Sequence, residues 1–96
     1  MEKQMFLPLG SVVTLHHGTK KIMICGRLQI EVKSRVLYDY AACYYPEGIL
    51  NPKELFLFNH HDVDQVYFYG MQDQEEEAFQ RMMKQHMEGS RKRTFF

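Results

Sequence analysis

Apolar and polar positions alternate with a period of two along most of this chain. From Ser11 to His16, Val13 and Leu15 stand against Val12 and Thr14; His17, Gly18 and Thr19 supply a turn, and a second β-like stretch runs from Lys20 to Arg27. The pair reads as a hairpin. In its second arm Ile22 and Ile24 share one face while Met23 and Cys25 share the other, so both faces are apolar and this strand is expected inside a sheet. Gly26 marks a bulge or a close backbone approach, after which Leu28, Ile30 and Val32 alternate with Gln29, Glu31 and Lys33. Lys33, Ser34 and Arg35 read as a polar turn. Val36 to Tyr45 is the longest β-like run, closed by Pro46, Glu47 and Gly48, with Asn51 and Pro52 in the loop that follows. Leu55 to Phe58 has the composition of a short buried strand. Asn59 to Asp64 is too polar for a core and favours a turn, and Val66 to Tyr69 makes a last strand ended by Gly70.

Asp73 followed by Glu76 has the spacing of a reciprocal helix cap, and Glu75, Glu76 and Glu77 suit the positive end of a helix dipole. A helix is therefore expected over about 73–88. Its apolar stripe is Phe79, Met82, Met83 and Met87, which needs cover from its own sheet or from a partner. Gly89 is placed to end it, leaving residues 89–96 as a flexible basic tail. Strands within 11–70 and then one helix predict a single α+β domain over 1–96: a small, mostly antiparallel sheet or partly open barrel of about five strands, followed by a C-terminal helix.

Composition narrows the classes of function. Ninety-six residues supply material for one core. Apolar residues at 45% and charged residues at 25% are ordinary globular usage, which argues against disorder throughout. The formal net charge of zero gives no global field toward a phosphate backbone, and the tyrosines keep company with Asp39 and Glu47, so nucleic acid is not an expected partner. No run approaches the ~20 apolar residues of a membrane span. Pro8 and Gly10 interrupt the first apolar patch well short of a signal-peptide core, so a cytoplasmic setting is expected, with Cys25 and Cys43 as buried reduced thiols.

Candidate chemistry is sparse. The pairs His16, His17 and His60, His61 invite a metal reading, but adjacent strand residues point to opposite faces and no Cys-x-x-Cys or His-Glu-x-x-His accompanies them; His60 and His61 are the weak candidates. Asp39, Asp62 and Asp64 have no partner at a catalytic spacing, and the last two suit turn closure. The glycines never cluster into a phosphate cradle. No cofactor and no catalytic residue is expected. What stands out is adhesive side chains, with six tyrosines, seven phenylalanines and seven methionines. Phe56, Phe58 and Phe68 are assigned to the core. Tyr38, Tyr40, Tyr67 and Tyr69, with Met82 and Met83 on the helix, are the candidate partner-facing surface.

The segments LPLGSVV, KKIMICGR, YDYAACYYPEG and FNHHDVDQVYFYG, followed by an acid-rich helix start, together resemble a family of small uncharacterised proteins from low-GC Gram-positive bacteria. That family is found beside type VII (ESX-type) secretion loci, often near toxins with an LXG targeting domain. The likeness covers roughly residues 7–80 and rests on order and spacing. It implies a cytoplasmic accessory protein, an adaptor or chaperone-like binder of an LXG-type effector toxin or of a secretion component. It carries no catalytic residue across. The alternatives are an immunity protein against a cognate toxin, or a small metal-binding or enzymatic domain using Asp39 and the histidine pairs. A homodimer is left open.

Overall fold

A computed structural model describes residues 6–93, with side chains for residues 6–87. Five strands form one antiparallel sheet: β1 (Val12–Leu15), β2 (Ile22–Ile30), β3 (Leu37–Tyr44), β4 (Phe56–Phe58) and β5 (Val63–Phe68), in the order β4-β3-β2-β1-β5. The helix α1 spans Gln74–Arg93. The expected α+β architecture is therefore the observed one.

The order of the strands carries a geometric demand. β4 and β5 lie on opposite edges, yet only Asn59 and a 3-10 turn, His60–Asp62, separate them. A flat sheet of five strands would hold its edges about 19 Å apart, at about 4.8 Å per step, whereas a 3-10 turn advances only about 2 Å per residue. The sheet must curl until its edges nearly meet. Register shifts supply the curl: one falls between Ile24 and Gly26 against β3, where the sequence placed a bulge, and two more lie along the β1–β5 pairing.

Because paired residues share a face, the register sorts the side chains. Val13 faces Ile22 and Val66, Ile24 faces Ala42, and Tyr40 faces Phe58; with Leu7 these residues make the buried core, except that Val66 is only partly buried against it. Tyr40 is 0% exposed, its ring 5.4 Å from that of Phe58. It had been expected on a partner-facing surface. Alternation alone could not tell which row of the run Val36 to Tyr45 turns inward, and the row containing Tyr40 and Ala42 does so.

Only half of the expected reciprocal cap forms at the start of α1. Asp73 Oδ1 accepts from the Glu76 N–H at 2.9 Å, but the Glu76 carboxylate turns away to Arg27 on β2. The buried face of α1 runs through Gln80 and Met83, with Glu76 and Met87 half-buried. Met83 therefore packs within its own molecule, while Met82 stays outside at 62% exposed. The helix also continues through Gly89 to Arg93. A single glycine costs a helix only about 1 kcal/mol relative to alanine, too little to stop a run followed by Arg91, Lys92 and Arg93. Of the expected tail, 94–96 lie outside the described residues.

Candidate functional site: an exposed aromatic groove

The outer face of the curled sheet carries what the core row does not. Val12 pairs with Met23 and with Phe68, and Met23 with Cys43, so these four share the face opposite Val13. At the end of β5 the register jumps: Val13 faces Val66, but Val12 faces Phe68, which leaves Tyr67 as the extra residue of a bulge. Strict alternation would send one of Tyr67 and Phe68 inward. With the bulge both stand in solvent, at 56% and 61% exposed. Phe68, expected in the core, is thus a surface residue, and the bulge is the reason.

Val12, Lys21, Met23, Tyr45, Tyr67 and Phe68, with Gly10, line an open groove of about 460 Å³. The Lys21 ammonium lies 4.9 Å from the centre of the Tyr67 ring, within cation–π range, so the one cation among the described residues lining the groove is held at its rim. A second hollow of about 270 Å³ shares Lys21 and Tyr45 and reaches Pro46. Beyond Phe68, Tyr69 and Met71 continue the exposed apolar surface. The backbone beneath is held close: Gly70 donates to Ser11 Oγ at 3.0 Å, and a Cβ on Gly70 would stand 1.8 Å from the Leu9 carbonyl oxygen.

The sequence-nominated residues do not gather in one place. Tyr67 and Tyr69 are on the exposed surface; Tyr38, half-buried and in register with Gln29, lies on the same side of the sheet as Tyr40. Met82 is exposed on α1 and Met83 is not. Met23 and Val12 pair with each other, but they complete a groove only through Phe68, which pairs with Val12 from far along the sequence, and so they were missed. Tyr45 was seen only as the end of a strand.

The histidines and carboxylates have local partners. His60 Nδ1 meets the Tyr40 hydroxyl at 2.7 Å, and His60 gives its backbone N–H to Asp39 Oδ2 at 2.8 Å. Asn59 Oδ1 accepts from the Asp39 N–H in return, so Asp39 and Asn59 staple β3 to the 3-10 turn. His61 lies 3.5 Å from Asp62 and His16 3.5 Å from Asp64, all of them substantially exposed. Among the described residues no three His, Cys, Asp or Glu side chains gather as a metal site would require. Burial, with Cys43 beside it, raises the Cys25 thiol above its ordinary pKa, which keeps it a poor nucleophile near neutrality. No helix among the described residues is long and apolar enough to cross a membrane.

A family model described as a domain of unknown function, DUF4176, matches residues 6–79. That is most of the chain, and the chain belongs to this family. No curated protein and no solved structure matches it.

Proposed function

We propose, starting from membership of the DUF4176 family, that this protein is a non-enzymatic adaptor that binds a segment of another protein in the groove of Val12, Met23, Tyr45, Tyr67 and Phe68. One observation carries the reading: the β5 bulge turns two adjacent aromatic residues outward over an apolar floor. Exposing Tyr67 and Phe68 together forfeits the burial either would gain inside, on the order of 1.5–3 kcal/mol for a side chain such as Phe. Tyrosine and methionine are also enriched where proteins meet. The cation of Lys21 at the rim favours a segment that brings a carboxylate beside its apolar anchors.

The partner we propose is an LXG-type effector or another component of type VII secretion, held in an export-competent state in the cytoplasm. The support for that narrower statement is the resemblance of the segments LPLGSVV to FNHHDVDQVYFYG. The test is retention of neighbouring gene products on immobilised protein, comparing the native chain with a Tyr67→Ala, Phe68→Ser double variant whose fold is checked by circular dichroism. Retention by the native chain and its loss from the folded variant support the proposal. Equal retention by both removes it. An immunity role would show instead as protection of cells from a toxin with export unchanged.

A further inference from the structure

Phe6 and Leu7 lie outside the sheet, and their four backbone polar groups are met entirely by side chains. Gln80 takes both groups of Phe6: its Oε1 accepts from the N–H at 3.0 Å and its Nε2 donates to the carbonyl at 2.6 Å. The Leu7 N–H donates to the Tyr40 hydroxyl at 2.8 Å, and the Leu7 carbonyl accepts from Arg27 Nη1 at 3.3 Å. Three side chains from α1, β3 and β2 thus form a clamp around one dipeptide, and each is nine-tenths or more buried. Arg27 also keeps a buried Nε donor with no partner among the described residues, one more than the dipeptide uses.

Backbone groups carry no residue identity, so a clamp of this kind accepts any extended dipeptide, and selectivity falls to the seats of the two side chains. Those seats are defined. Phe6 meets the Tyr40 ring edge-on at 6.1 Å, and Leu7 enters the core at 7% exposed. We infer that the clamp is a peptide-binding site, occupied here by the chain's own Phe6 and Leu7, which takes in exchange an extended segment of another polypeptide carrying an aromatic residue followed by leucine. The occupant's chemistry is set by the segment already seated there.

This site is distinct from the aromatic groove. Arg27 is in register with Tyr40 on the core side of β2, whereas Met23 is in register with Cys43 and Val12 on the other. Failure of either site leaves the other standing. An occupant in cis lowers the apparent affinity for one in trans by the fraction of molecules in which the clamp is filled, so weakening the cis segment must tighten binding in trans.

The experiment titrates a fluorescein-labelled peptide of sequence MEKQMFLPLG into the full chain and into its F6A/L7A variant, with folding checked by circular dichroism. The variant is expected to bind at least tenfold more tightly than the native chain, and Gln80→Ala within it to weaken binding at least tenfold. Equal binding by both proteins, no binding by the folded variant, or binding indifferent to Gln80→Ala overturns the inference. Should F6A/L7A not fold, Phe6→Ala alone, which keeps Leu7 in the core, is judged by the same criteria.

Discussion

A single hydroxyl, that of Tyr40, joins three parts of the molecule. It accepts from the Leu7 N–H and shares a hydrogen bond with Nδ1 of His60 in the 3-10 turn. Burial pushes the phenol up to about 12, so it keeps its proton throughout the range in which the protein is handled. Tyr40→Phe keeps the ring and strands the Leu7 amide, for which the expected loss is about 1–3 kcal/mol in urea unfolding. A larger loss is expected at Gly70. Its Cβ position lies 1.8 Å from the Leu9 carbonyl oxygen, a backbone atom that cannot swing aside, so Gly70→Ala should cost about 3 kcal/mol or prevent folding. Neither residue announced its role in the sequence. Tyr40 was one of six tyrosines, and Gly70 was legible only as the end of a strand.

At the scale of elements, β-strand patterning was readable because a period of two is local: five strands and the Gly26 bulge were legible, although β5 begins at Val63, inside the polar segment 59–64 expected as a turn. The helix was harder. Its apolar residues nominated Phe79, Met82, Met83 and Met87 as the buried stripe, yet the face that docks begins with Glu76 and Gln80. A hydrophobicity pattern cannot find a buried face made of polar groups. Glu76 grips the Arg27 guanidinium with both oxygens, at 2.5 and 2.8 Å, and Phe79 lies over that guanidinium at 5.2 Å. The Arg27 hydrogen bonds hold the Glu76 carboxyl below the usual carboxylate range. The sign follows from proton counting: in the unfolded chain Glu76 regains a pKa near about 4.3, so the unfolded state binds protons first as pH falls. The stabilisation from this pair is complete above that value and drains away as pH drops through the lower folded one. Glu76→Gln, which leaves Arg27 buried without a counter-charge, is expected to cost about 3 kcal/mol at pH 7. Chemical denaturation of both proteins from pH 7 to pH 3 should show that gap narrowing below about pH 4.

For the whole molecule, the decisive fact is that a one-turn link joins the two outermost strands. It forces the sheet to curl, the curl requires bulges, and one bulge turns Tyr67 and Phe68 outward. Sequence periodicity could not foresee this, because the jump arises where β5 meets β1, some fifty residues apart. The expected consequence is separability. Tyr67→Ala with Phe68→Ser removes apolar surface that is already exposed, so thermal stability should change by no more than about 0.5 kcal/mol. Partner retention should be lost in the same variant. Fluorescence-monitored melting alongside the retention assay checks both halves of the prediction.

The two amides of the seated dipeptide belong to different parts of the structure, Phe6 to Gln80 on α1 and Leu7 to Tyr40 on β3. In deuterated water they become two clocks. The Phe6 proton is lost when the helix lifts off or when the dipeptide leaves the clamp, whereas the Leu7 proton is lost only when the dipeptide leaves. The excess of the Phe6 rate over the Leu7 rate, each taken relative to its intrinsic rate, therefore reads out the free energy of helix undocking without any mutation.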